Sequence, residues 1–170
     1  MAVYTLINKS ELQEWLKNFP VGDLRKFKGI SSGVTNTNYF VETETTKFIL
    51  TIFEQNKVEE LPFYFDLMNF LGNKNFPCPL PVTNNNNTYL TLLKGKPAVL
   101  VSFLLGAEKE NITENDCKSV GEVLAKFHTS AKDFSGKKKN NRNIDWMSIK
   151  FNELKTSLLT SDRAIIELEI

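Results

Sequence analysis

Lys28 to Glu54 reads K-G-I-S-S-G-V-T-N-T-N-Y-F-V-E-T-E-T-T-K-F-I-L-T-I-F-E, and the order of residue types in it decides the fold. Residues 25–30 read as a strand entering a polar loop. Residues 38–43 and 47–54 read as two more strands, the last rich in β-branched and aromatic side chains. Glu44, Thr45 and Thr46 supply a short turn. Short connections join antiparallel neighbours, so the stretch is a meander and not a strand–helix–strand crossover. A dinucleotide fold needs a helix directly after its Gly-rich loop, and a Walker A loop needs G-K-[ST], so both are excluded. A loop bounded by Gly29 and Gly33 can bring backbone N–H groups close to a phosphate.

Outward from this stretch the pattern stays mixed. Ser10 and Gln13 have capping-box spacing ahead of the apolar stripe Leu12, Trp15 and Leu16, which predicts a first helix. Leu61 to Leu71 predicts a second, with Pro62 in its first turn and Leu61, Phe65, Met68 and Leu71 on one face. Pro77, Pro79 and Pro81 predict an extended, edge-like path. Asn84 to Asn87 reads as a solvated surface turn. Residues 88–93 and 97–103, joined across K-G-K, predict a hairpin. The expected class is therefore α+β: an antiparallel five-stranded sheet with one inserted helix, followed by helices.

Beyond Gly106 the pattern turns helical. Thr113 and Asp116 mark one helix start, with Cys117, Val120, Gly121, Leu124, Phe127 and His128 as its stripe. Lys137, Lys138 and Lys139 read as a solvated loop, phosphate contact being the alternative. Asp145 is expected to cap a further helix with Trp146, Ile149 and Leu154 turned inward, and Asp162 to Ile170 reads as helix. The expected division is 1–104 and 105–170. The second part reads as amphipathic helices without partners, so the chain is expected to be a portion of a longer protein.

Composition narrows the chemistry. The 170 residues are 41% hydrophobic and 24% charged, which suits a globular domain. A net charge of +1 gives no field toward nucleic acid or anionic lipid. Cys78, Cys117 and the single His128 lack metal-ligand spacing, so no metal site is expected from them. The N-terminus lacks the pattern of a secretory leader, and Ala98 to Ala107 is too short to span a bilayer. A reducing, cytoplasmic setting fits two free thiols.

The order of elements resembles the small lobe, hinge and early large lobe of protein-kinase-like enzymes. K-G-I-S-S-G-V-T-N-T-N-Y-F-V resembles the nucleotide loop of the aminoglycoside-phosphotransferase-like kinases. K-F-I-L-T-I-F-E, L-P-F-Y-F-D-L-M-N-F-L, C-P-L-P-V and G-E-V-L-A-K-F-H are similar to the homoserine kinase branch of that superfamily. The resemblance implies ATP-dependent phosphorylation of the L-homoserine hydroxyl, a step toward threonine, with Mg²⁺ as the accompanying ion. It leaves oligomeric state open.

The resemblance also implies site residues. Ser31, Ser32 and Gly33 would cover the β- and γ-phosphates, since this transfer rests on positioning and charge stabilisation. Asn36 and Asn38 would shape the loop, turn chemistry alone being the alternative. Ser102, Phe103 and Leu104 match the hinge that binds the adenine edge, a plain strand end being the alternative. Val41, Ile49 and Leu50 are candidate adenine walls. His128, at the end of an apolar stripe, is expected to be structural, because the base in this class is an Asp.

Two departures stand out. The third-strand cation of the family falls at Thr51, with Lys47 four residues earlier. The catalytic loop H-[GA]-D-x-x-x-x-N and the following metal-binding Asp do not occur in the 170 residues and are expected after residue 170. The chain alone is therefore expected not to turn over. Another small-molecule kinase of the superfamily, acting on an aminoglycoside, choline or a sugar, and a non-catalytic nucleotide-binding module are the competing readings.

Overall fold

The computed structural model describes the backbone of residues 3–169 and side chains through Ile166. Sequence expectations that turn on Met1, Ala2 and the uncapped end at Ile170 lie outside these residues. The chain forms two compact units, residues 1–136 and 137–170.

In the first unit the order is α1 (Lys9–Leu16), β1 (Leu24–Ile30), β2 (Thr37–Thr43), β3 (Lys47–Ile52), α2 (Pro62–Asn73), β4 (Thr91–Leu93), β5 (Lys96–Ser102) and α3 (Glu114–Ala131). The five strands make one antiparallel sheet in the order β1-β2-β3-β5-β4. The meander and the hairpin are as the sequence reads. Lys94 and Gly95 both have positive φ, 53° and 74°, which is the two-residue turn that matches strand twist. The proline segment lies along the free part of the β5 edge. Pro81 bridges Val101, and the Val82 N–H donates to Leu100 O at 2.8 Å. Pro79 and Pro81 have no N–H to give, which suits an edge.

Helix α1 begins one signal earlier than expected. Asn8, not Ser10, is the cap: Asn8 Oδ1 accepts the Glu11 N–H at 2.9 Å and Glu11 Oε2 accepts the Asn8 N–H at 2.8 Å. Asn8-x-x-Glu11 outcompetes Ser10-x-x-Gln13 because a carboxylate is the stronger acceptor at the third helical position. The expected stripe Leu12, Trp15 and Leu16 is buried against one face of the sheet, with Tyr39, Val41, Phe48, Leu50 and Ile52. Helix α2 packs on the other face, where Leu61 and Phe65 meet Val99 and Val101.

The asparagine turn departs from its reading. Asn84 is buried; its Oδ1 accepts the N–H groups of Asn86 and Thr88, both at 2.9 Å. The Asn85 N–H and amide donate to Asn18 O and Lys17 O, satisfying carbonyls left free at the end of α1. Asn87 takes the left-handed conformation that asparagine tolerates, φ 59°.

Helix α3 starts at Thr113 with Asp116 as its box partner, as expected. Its stripe is not buried. Val120 and Leu124 are 66% and 53% exposed. The helix meets α2 through aromatic rings near its C-terminal end, where Phe127 faces Phe76 and Phe134 faces Phe63 and Phe70 at 5.3–5.8 Å. Leaving the N-terminal two-thirds of the stripe open is the consequence of that end-on contact. His128 is exposed, so it belongs to no core.

The second unit holds α4 (Ile144–Leu154) and α5 (Thr160–Glu169). Asn143, not Asp145, caps α4 by accepting the Trp146 N–H at 3.0 Å. Trp146, Ile149 and Leu154 are exposed instead of inward, because two short helices cannot enclose an apolar face.

Candidate nucleotide site

Register fixes which side chains share the α2 face of the sheet. Opposed residues in an antiparallel pair point the same way. One row runs Ile30, Asn38, Thr51, Val99; the next runs Lys28, Phe40, Ile49, Val101; a third runs Lys26, Glu42, Lys47. Ile49 therefore lines the face expected of an adenine wall. Val41 and Leu50 do not: they point to the α1 core and are fully buried there. The period of two separates them from Ile49, and Phe40 takes the place they were expected to fill. Phe40 packs edge-on against Phe103 at 5.4 Å.

The loop between Ile30 and Thr37 leaves the sheet where β1 ends and β2 begins. Lys26, Lys28, Gly29, Ile30, Ser31, Ser32 and Phe40 line a cleft of about 310 Å³ beside its first residues. Ser31, Ser32 and Gly33 are exposed, so their N–H and hydroxyl groups face solvent and any anion that enters. Gly29 serves a second purpose on the far side. A Cβ there would lie 2.9 Å from Val3 Cγ2, so its missing side chain lets the N-terminal segment cross β1.

That segment is sewn to the base of the loop. Thr37 is fully buried, and its Oγ1 accepts the Tyr4 and Thr5 N–H groups at 2.9 and 3.0 Å. The Thr37 hydroxyl donates to Glu54 Oε1 at 2.6 Å. Glu54 also accepts from the Thr5 hydroxyl at 2.8 Å and pairs with Lys96. Burial alone would raise the Glu54 carboxyl; the Lys96, Thr37 and Thr5 donors outweigh it and hold the group below its ordinary value. Tyr4 then reaches the loop directly, its hydroxyl donating to Val34 O at 3.0 Å. Sequence reading missed this buckle, although the buried-looking Thr37 between two asparagines and the carboxylate ending a β-branched run were its signals.

Asn36 and Asn38 differ. Asn36 Oδ1 is buried and has no hydrogen-bond partner within the protein. Asn38 Oδ1 accepts the Thr51 hydroxyl at 2.8 Å. Thr51 thus stands on the cleft face, one row from Ile49, and orients the Asn38 amide instead of offering a charge.

At the other end of the face is the segment after β5. The Ser102 N–H donates to Leu80 O at 2.9 Å, and Ser102 Oγ accepts the Leu80 N–H at 2.9 Å. The Phe103 N–H donates to Lys47 O at 3.2 Å. Both amides are occupied. Among the described residues the Leu104 N–H has no partner, so it is the amide of the three that is open to a ligand. No group of three or more His, Cys, Asp or Glu stands together among the described residues. No described helix is long and apolar enough to cross a membrane.

Comparison with known proteins places this geometry. Residues 26–165 match the model of the phosphotransferase enzyme family, APH. The homoserine kinase of Methylobacillus flagellatus is 43% identical over 146 residues, which are 86% of this chain and 46% of that protein. That of Burkholderia vietnamiensis is 35% identical over 170 residues, 100% of this chain and 51% of its own. The chain spans about half the length of the curated relatives it matches. A crystal structure of spectinomycin phosphotransferase with ADP and spectinomycin superposes with a TM-score of 0.63 at 17% identity, covering 87% of this chain and 47% of that one. The sheet, its inserted helix and the following helices are therefore a shared fold.

Proposed function

The chain belongs to the phosphotransferase enzyme family, and on that premise we propose that it is the nucleotide-binding portion of a homoserine kinase. The reaction is transfer of the ATP γ-phosphoryl group to the homoserine hydroxyl, a cytosolic step toward threonine. Likeness to curated homoserine kinases along the chain supports the acceptor. The observation that carries the nucleotide is one sheet face with hydroxyls and lysines beside the loop, the row of Phe40 and Ile49 next to them, and an open amide past the end of β5.

In this reading residues 1–104 form the nucleotide lobe and 105–170 begin a helical lobe. The adenine lies along Phe40 and Ile49, its edge meeting Leu104, while Ser102 and Phe103 hold that segment to the sheet. Ser31, Ser32 and Gly33 donate to phosphate oxygens. Asn36 and Asn38 shape the loop and the start of β2, and the Thr51 hydroxyl fixes the Asn38 amide by donating to its oxygen. Such positioned donors act where charge builds during transfer. The residues do not fit a Mg²⁺ site of their own, since no carboxylate cluster stands among those described.

The test is phosphoryl transfer from labelled ATP, comparing the 170-residue chain with the same chain joined to the C-terminal half of the Methylobacillus flagellatus relative. The expected result is ATP binding without transfer by the chain alone, and phosphorylation of homoserine ahead of choline or spectinomycin by the chimera. Clear turnover by the chain alone would overturn the division of labour. Preference of the chimera for choline or spectinomycin would overturn the substrate.

A further inference from the structure

A nucleoside triphosphate brings several negative charges to a face whose central strand offers the neutral Thr51 beside Asn38 at the loop end and carries its lysine, Lys47, at the opposite end. Three lysines lie on that face: Lys26, Lys28 and Lys47. Two of them share an acid. Glu42 stands opposite Lys26 on one side and opposite Lys47 on the other, so the third row sets two ammonium groups beside one carboxylate, a formal +1 spread over two lysines. The row of Lys28 contains Phe40, Ile49 and Val101 and no carboxylate. Lys28 is also the lysine nearest the loop in sequence, three residues before Ser31, and lines the cleft with Ser31 and Ser32. It is exposed, and no described carboxylate pairs with it.

We propose that Lys28, from the edge strand β1, supplies the phosphate-binding cation that the Thr51 position of β3 does not. The inference rests on the nucleotide reading above and adds to it the origin of the charge. The four-carbon stem can lie along the Phe40 side of the cleft while the ammonium reaches the hydroxyl-lined end.

The experiment is calorimetric titration of the 170-residue chain with ATP, adenosine and tripolyphosphate, using Lys28→Met, Lys28→Arg and Lys47→Met. Methionine keeps the stem and removes the charge. Loss of one charged hydrogen bond corresponds to a roughly ten- to hundredfold weakening. Lys28→Met is expected to weaken ATP and tripolyphosphate by that factor with adenosine within about twofold, a retained affinity that also reports an intact fold. Lys28→Arg should recover most of the loss, and Lys47→Met should stay near the parent. Parent-like ATP affinity of Lys28→Met, or a greater loss in Lys47→Met, would overturn the assignment while leaving the nucleotide reading intact. Equal loss of adenosine would overturn the phosphate role. A parent chain that binds neither ATP nor adenosine would overturn the nucleotide reading and the inference with it.

Discussion

Replacing Thr37 by valine isolates the buckle that ties the N-terminal segment to the loop. The two side chains have nearly the same shape, so the cavity effect is small and the change is the hydroxyl. Three hydrogen bonds go with it: those from the Tyr4 and Thr5 N–H groups at 2.9 and 3.0 Å, and that to Glu54 at 2.6 Å. Glu54 keeps Lys96 and the Thr5 hydroxyl, so its carboxylate stays compensated. The Thr5 N–H becomes a buried orphan, at about 1–3 kcal/mol, and the half-buried Tyr4 N–H adds a smaller cost. Thr37→Val should therefore lose about 2–4 kcal/mol. Thr37→Ser keeps the hydroxyl and should lose about 1 kcal/mol for its missing methyl. Urea unfolding in a Trp146→Phe background reads Trp15, which lies in the α1 core, without the second unit's signal. A Thr37→Val loss no larger than that of Thr37→Ser would refute the claim that the hydroxyl carries the strap.

Three further outcomes follow from the same structure. Glu54 is held below its ordinary value when folded, so the folded state binds fewer protons than the unfolded one. Its stabilisation is full above the unfolded value near pH 4.3 and lost as pH falls through the folded one, and Glu54→Gln should flatten that part of the urea-midpoint profile. Leu104→Pro removes the open amide and should weaken adenosine about tenfold while leaving tripolyphosphate unchanged, measured by calorimetry. Gly95→Ala forces a Cβ on φ 74° with open space around it, so it should cost about 1 kcal/mol in urea unfolding, all of it backbone strain.

Much of the sheet was legible because strand alternation and short turns are local signals. The F-I-L-T-I run and K-G-K announce β3 and the hairpin without any knowledge of neighbours. Sidedness was not local. Val41 and Ile49 look alike in sequence, and only the register of β2 against β3 sends one to the α1 core and the other to the α2 face of the sheet. The same holds for Lys28, whose value depends on which lysines face Glu42. The asparagine turn read as solvent-facing because Asn85 bonds the end of α1, far away in the chain. The Asn8 cap was readable, since Asn-x-x-Glu is the better box, but an overlapping Ser-x-x-Gln signal masked it. The stripe of α3 announced a helix correctly, while its burial depends on a neighbour that periodicity does not supply.

The central claim is that the loop at 31–36 and the amide of Leu104 are two ends of one ATP site. Amide NMR spectra of the chain titrated with ATP test it most directly. Concerted shifts at Ser31, Ser32, Gly33 and Leu104 with one saturation curve are expected, with adenosine moving Leu104 but not the loop. ATP shifts absent from these amides, or confined to the exposed lysine loop at Lys137–Lys139, would contradict it.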